Sequence, residues 1–242
     1  MKLRALVVFL ILGLSGCATM TVDQCATADW RAIGYEDGVS GEMLTKADKR
    51  GKACSKHGYV MNRDAYDVGR DSGLNLYCTE ETGFALGESG KPYNGVCSAH
   101  DEAQFVRSYD RGYEMFRFTA SVAMTQAKLL EAKNKHKNLD KELQKYDSGY
   151  RDEGLTMEEH NNMVLEIWAE RKYLKTVAIP HWTHEKRAAQ RELDAYRAKM
   201  AAGDPSLGSL RPREVQEPRP YTGATKADAR EMVAEVFSRL KQ

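Results

Sequence analysis

His181 and His184, in the run His181-Trp182-Thr183-His184, stand three residues apart, so on a helix both imidazoles share one face and could hold a divalent metal. The zincin pattern starts at the next pair, His184-Glu185, but needs a second histidine four positions on, where this chain has Ala188. That chemistry is excluded, and no metal is expected. His100-Asp101 and Glu159-His160 read as charges at helix starts rather than as catalytic pairs. No GxSxG elbow, P-loop or dinucleotide fingerprint is present, so no cofactor and no catalytic residues are assigned. Cys25, Cys54, Cys78 and Cys97 lack the CxxC-like spacing of a zinc site.

The fifth cysteine belongs to a different pattern. Lys2 and Arg4 precede an apolar run from Ala5 to Leu14, about the length of a signal-peptide core and too short to cross roughly 30 Å of hydrocarbon. Leu14-Ser15-Gly16-Cys17 follows, and it resembles the lipobox of bacterial lipoproteins. That resemblance implies cleavage before Cys17 and lipidation of that cysteine. Ala18, where aspartate would retain the chain at the inner membrane, resembles the sorting pattern of outer-membrane lipoproteins in Gram-negative bacteria. A tri-acylated end would be a permanent anchor, since several chains hold firmly where one holds marginally.

With Cys17 used for the anchor, an even number of cysteines remains in an oxidising compartment, and two disulfides are expected. Four cysteines allow three connectivities, which the sequence leaves open; Cys25–Cys54 with Cys78–Cys97 is the preferred one. The segment between the last two, TEETGFALGESGKPYNGV, holds four glycines, a proline and an Asn94-Gly95 turn signal. It reads as a glycine-rich loop without a core of its own, whose closure contributes about 3 kcal/mol.

Charge gives no reason to expect nucleic acid or a polyanionic partner. The chain carries a formal +1, which becomes −1 once the two positive charges of Lys2 and Arg4 are lost with the leader. Charged residues make up 29% of the chain, which suits well-solvated helices.

A glycine motif recurs. Tyr66-Asp67-Val68-Gly69-Arg70-Asp71 is echoed by Tyr109-Asp110-Arg111-Gly112-Tyr113-Glu114 and by Tyr146-Asp147-Ser148-Gly149-Tyr150-Arg151. Ile33-Gly34-Tyr35-Glu36-Asp37-Gly38-Val39 matches Val68 to Leu74. Glycines four apart, as in Gly34/Gly38 and Gly69/Gly73, lie on one helix face and open a flat groove for a neighbouring helix. Tyr66, Gly69, Gly73, Leu76 and Tyr77 form one stripe; Trp30, Gly34, Gly38 and Gly41 form another. Helix packing is the expected use of Gly34, Gly38, Tyr66, Gly69, Gly73, Tyr109 and Gly112, with a glycine-lined ligand groove as the alternative.

The Trp30–Gly38 and Tyr66–Cys78 segments, and above all CTEETGFALGESGKPYNGVC, resemble an uncharacterised domain-of-unknown-function family of small proteobacterial lipoproteins. The resemblance covers Cys17 to about Phe116. It implies an outer-membrane lipoprotein with a mostly helical fold, and it transfers no catalytic residues.

The remainder is helical in pattern. From Asp101, Phe105, Tyr109, Gly112, Phe116 and Val122 mark one side, and a very polar stretch then leaves a thin stripe of Leu139, Leu143 and Tyr146. Thr156 and Glu159 form a capping box that opens a helix ended or kinked at Pro180. Gly203-Asp204-Pro205 stops a further helix, and the two arms should form an antiparallel hairpin. Residues 203–224 carry four of the six prolines and read as a linker. Thr225 then caps an amphipathic helix whose face of Met232, Val233, Val236, Phe237 and Leu240 either docks on its own domain or meets a partner.

The expected fold is therefore all-α: an irregular bundle of repeated Gly/Tyr helices with a disulfide-closed loop, plus a long helical hairpin. Its divisions are a signal peptide (1–16), a lipid tether (17–28), a Cys/Gly-rich helical domain (29–116), polar helices (117–202), a linker (203–224) and a terminal helix (225–242). The expected role is that of an outer-membrane lipoprotein facing the periplasm, membrane-bound through its lipid, with a structural or partner-binding role toward an envelope protein and no catalysis. Alternatives are a ligand- or inhibitor-type binding module using the Cys78–Cys97 loop, and a hydrolase.

Overall fold

The computed structural model describes residues 20–239, which form helices and connecting segments with no strand among them. The expected leader, Cys17 and Leu240 lie outside the described residues, as do the side chains of Val236 and Phe237. Two compact units divide at Tyr113/Glu114. That division falls inside one continuous helix, not at the 116/117 boundary expected from the sequence.

In the first unit, α1 (Val22–Ala26) opens with a capping box between Thr21 and Gln24. Asp29 caps α2 (Trp30–Val39) by accepting from the N–H groups of Arg31 and Ala32. Next come α3 (Leu44–Ser55) and α4 (Arg63–Tyr77), the latter capped by Asn62. Thr79 caps α5 (Glu80–Glu88), and α6 (Ala99–Asp147) follows. Disulfides join Cys25 to Cys54 and Cys78 to Cys97, with Cα separations of 5.4 and 5.6 Å.

Glycines bring α2 and α4 into backbone contact. A Cβ on Gly34 would lie 2.0 Å from the carbonyl oxygen of Tyr66, and one on Gly38 would lie 2.3 Å from that of Arg70. Reciprocally, Gly69 and Gly73 face the carbonyl oxygens of Arg31 and Tyr35, at 1.9 and 2.3 Å from the same hypothetical atom. Partner numbers rise together along both helices, so the two run parallel. Where Cβ would stand, each glycine directs a Cα hydrogen at a carbonyl, a contact worth about 0.5–1 kcal/mol. Four such contacts are of the same order as the propensity lost to four helical glycines, about 1 kcal/mol each.

The arrangement is repeated by α5 and α6. Gly83 and Gly87 face the carbonyls of Phe105 and Tyr109, and Gly112 faces that of Phe84. Gly34-Tyr35-x-x-Gly38-x-Ser40-Gly41 thus corresponds to Gly83-Phe84-x-x-Gly87-x-Ser89-Gly90, and both runs end their helices on a left-handed glycine (φ 62° and 71°). The second helices align Gly73 with Gly112 and Gly69 with Ser108, which is buried. This corrects the sequence alignment of Gly69 with Gly112, which is one helical turn out of register. Two further corrections follow. Gly149 is a left-handed residue beyond the end of α6 with open space around it, and Gly41 is a helix terminator against the Tyr77 ring, not a member of the stripe.

In the second unit, the remainder of α6 pairs with α7 (Met157–Tyr173) and α8 (Ile179–Ala201) as an antiparallel hairpin. Phe118 meets Tyr196 at 4.9 Å between ring centroids, Leu129, Ala132 and Leu139 pack with Leu174, Ala178 and Trp182, and Leu143 packs with Trp168. The capping box at Thr156/Glu159 is formed. Pro180 neither ends nor breaks the arm. Residues Leu174–Ala178 widen into a π-turn in which Ile179 donates to the Leu174 carbonyl, and this accommodates a proline ring that would clash with the carbonyl four residues back.

Residues 203–224 are not a free linker. After a 3-10 turn (Pro205–Ser209), Leu207 is buried with Met115, Leu193 and Tyr196, and Val215 packs on the central hairpin cluster. Proline here fixes an extended strap that needs few backbone partners of its own. The strap leads into α9 (Lys226–Arg239).

Candidate functional site

Asp37 lies between the two glycines of α2, and the close helix contact buries it to 2% exposure. A buried carboxylate is tolerable only when paired and hydrogen-bonded. The Tyr66 hydroxyl donates to Oδ2 at 3.0 Å, Arg50 bonds the same oxygen, and Lys46 stands 3.4 Å from Oδ1. Burial and the neighbouring Asp37 charge push the Tyr66 phenol up to about 12, so it remains a donor throughout the physiological range. In the second helix pair, Phe105 replaces Tyr66 and Leu86 replaces Asp37. Without a hydroxyl to satisfy, the carboxylate has no counterpart.

Arg70, one turn after Tyr66, is also buried, and its Nη1 has no hydrogen-bond partner. It lines an open groove of about 540 Å³ together with the apolar Met43, Leu44, Leu74 and Val96. Asp67 and Asp71 add carboxylates to the lining, but Asp67 is bonded by Arg63 at 2.9 Å. Asn94 fixes the far wall by donating to the Gly41 carbonyl at 2.9 Å. This is the arrangement in the first unit best suited to receive a ligand: a buried cation in a groove whose walls are part apolar and part charged. The sequence reading missed Asp37 and Arg70. The signal for Asp37 was available, because the residue three positions after Gly34 and next to Gly38 shares their helix face, whereas Tyr35 and Glu36 point away and are exposed.

The Cys78–Cys97 segment is not a loop without a core. It contains α5, and its Tyr93 joins a row of rings: Tyr77–Phe105 at 5.3 Å, Phe105–Tyr93 at 4.7 Å, Tyr93–Tyr109 at 6.2 Å and Tyr109–Tyr113 at 5.9 Å. The Tyr93 hydroxyl accepts the Cys97 N–H, and Tyr109 donates to the Lys91 carbonyl. Burial raises the phenols of Tyr77, Tyr93 and Tyr109.

In the second unit, His181 and His184 do not converge on a metal. His181 Nε2 bonds the Gln216 carbonyl at 2.7 Å, and His184 Nδ1 lies 3.3 Å from Glu185 Oε1. Among the described residues no group of three His, Cys, Asp or Glu side chains is placed to hold a metal. Burial alone would raise the Glu185 carboxyl, but hydrogen bonds from Arg213, at 2.7 Å, and His184 hold it below the ordinary value. These contacts clamp the strap to α8.

The terminal helix is held by its polar side as well as by Met232. Met232 packs on Leu143, Trp168 and Ala169, so it is an internal contact and not part of a partner-binding face. Lys172 bonds Asp228 at 3.0 Å and Glu231 at 2.5 Å, and the Trp168 Nε1–H donates to Glu235 at 3.0 Å. Hydrogen bonds from Thr225 and Lys172 draw the Asp228 carboxyl down to about 2. Val233 remains exposed.

No curated protein and no solved structure gives a significant match to the chain. Residues 29–114, which span both glycine-packed helix pairs, match the family described as "Protein of unknown function (DUF2799)".

Proposed function

We propose that the protein is an outer-membrane lipoprotein facing the periplasm, with a structural or partner-binding role and no catalysis of its own. One observation carries the reading: a short basic start, an apolar run and Leu14-Ser15-Gly16-Cys17 fall in the order that lipoprotein processing requires. Two disulfides in the first unit suit an oxidising compartment. The buried carboxylates Asp37, Glu114 and Glu185 are each tied to a fixed cation, which favours a scaffold over acid–base work. Met124 and Leu130, exposed on α6, offer apolar points to a protein partner. Labelled palmitate should enter the chain and be lost with Cys17→Ser. Envelope crosslinking should then co-purify a protein; absence of label, or of any crosslinked protein, would overturn the corresponding part of the reading.

A second reading, a ligand-binding module, is favoured by the groove over Arg70, whose wall includes Asn94 and Val96 of the Cys78–Cys97 segment. Its chemistry suits a small amphiphile bearing a carboxylate. Thermal-shift screening of such compounds should find one that stabilises the wild type but not Arg70→Met; equal shifts in both would remove the reading.

A further inference from the structure

We infer that the C-terminal end of α3 and the turn at residues 56–60 rest on the lipid headgroups, so that the first unit is oriented on the bilayer and not merely tethered to it. This rests on the lipoprotein reading above.

The length of the tether is the first argument. Only three residue steps separate Cys17 from Met20, a reach of at most about 11 Å. Met20 is partly buried: its sulfur lies 3.8 Å from Cys54 Sγ, and it packs against the core cluster to which Cys25 and Cys54 belong. The Cys25–Cys54 disulfide ties the N-terminal segment to the last turn of α3. An acylated Cys17 therefore brings the Cys54 end of the unit to the headgroup layer.

What that end exposes is the second argument. The Cys54 carbonyl accepts the N–H groups of His57 at 2.9 Å and Tyr59 at 3.1 Å, so the turn is built on the residue that Met20 touches. Val60 is 89% exposed, the highest value for a large apolar side chain among the described residues, and Tyr59 and Val22 are exposed beside the same segment ends. A single exposed valine is ordinary. Three apolar side chains at the exit of a lipid tether, one of them a tyrosine, match what the membrane interface takes.

Charge is the third argument. Lys49, Lys52 and Lys56 are exposed, and no carboxylate occurs between residues 49 and 60. Arg50 is turned inward to Asp37. Asp48, just before Lys49, is paired by Arg63 at 3.1 Å, and Asp23 and Asp64 on the adjoining segments then leave the three exposed lysines in excess by one charge. Each base near an anionic surface contributes about 1 kcal/mol, so the lysines complement phosphatidylglycerol-type headgroups while Val60 enters the interface.

The test uses the full lipidated chain in vesicles of phosphatidylethanolamine and phosphatidylglycerol, with a photo-crosslinking amino acid at position 60 or, as control, at 76. Leu76 is 57% exposed on α4, roughly 20 Å along that helix from its start near the turn. Lipid adducts should form several-fold more at 60 than at 76, and the pair Lys52→Glu and Lys56→Glu should reduce the yield at 60. Equal yields at the two positions, or a yield indifferent to those charge reversals, would overturn the inference. Palmitate labelling of the same sample separates the two readings: unlabelled protein sinks the lipoprotein assignment, whereas labelled protein with equal adducts sinks only the orientation.

Discussion

The carbonyl oxygen of Tyr66 occupies the place where Gly34 would carry its Cβ, 2.0 Å from that hypothetical atom. Backbone has replaced side chain as the packing surface between α2 and α4. Neither helix can yield without moving as a body, because the obstructing atoms on both sides are main chain.

Gly34→Ala should therefore destabilise the first unit by about 3 kcal/mol or more, since a methyl group at that site forces the helices apart. Gly51→Ala on α3 provides the contrast. Its Cβ would meet only the flexible Met61 side chain at 3.2 Å, and the gain in helix propensity, up to about 1 kcal/mol, should make it neutral or stabilising. Urea unfolding of both variants measures the difference; equal effects would mean that the close contact does not govern stability.

Asp37 and Tyr66 should behave as one unit. Tyr66→Phe loses a hydrogen bond to a charged group, about 1.5–3 kcal/mol, and Asp37→Leu leaves the Tyr66 hydroxyl buried without its acceptor. The double variant reproduces the Leu86/Phe105 combination of the second helix pair. It should be less destabilised than the sum of the single variants by at least about 0.5 kcal/mol. A double-mutant cycle with no coupling would contradict the pairing.

Each disulfide should contribute about 3 kcal/mol, given sequence separations of 29 and 19 residues. Under reducing conditions the chemical midpoint of the first unit should fall. Peptide mapping without reduction should return Cys25 linked to Cys54 and Cys78 linked to Cys97, and any other linkage would refute the connectivity.

The seat of α9 should loosen in acid. Asp228 titrates near 2 when docked, below its ordinary 3.8, because Thr225 and Lys172 hydrogen-bond the charged form. A depressed carboxyl contributes stability that is complete above the unfolded value and is lost as pH falls through the docked one. Amide protection in residues 226–235, taken relative to the intrinsic exchange rate at each pH, should accordingly fall between about pH 4 and 2. Asp228→Asn should be less protected already at neutral pH and flatter across that window; an unchanged profile would rule out the Lys172–Asp228 bond as the anchor.

The local rules are legible in neighbouring residues. Glycines four apart, Thr156 with Glu159, and the stop at Gly203 are statements about one helix at a time, and backbone sterics write them into neighbouring residues. The proposed leader and its Cys17 likewise rest on residue order alone. Everything that joins distant segments depends on tertiary contacts. Composition made the glycine-rich stretch around Gly83 and Gly87 look like a loop, because helix propensity omits the gain from backbone contact with Phe105 and Tyr109. Tyr-Asp matches between Tyr66 and Tyr109 put the repeat one turn out of register, because the partner carbonyls that set the true register lie on the neighbouring helices. Four prolines suggested freedom for residues 203–224, yet Leu207, Arg213 and Tyr221 bind that strap to the hairpin. Asp37 needed Lys46 and Arg50 from α3 and Tyr66 from α4. Such long-range partners are invisible to any local pattern, because the free energy that fixes them appears only once the helices are in contact.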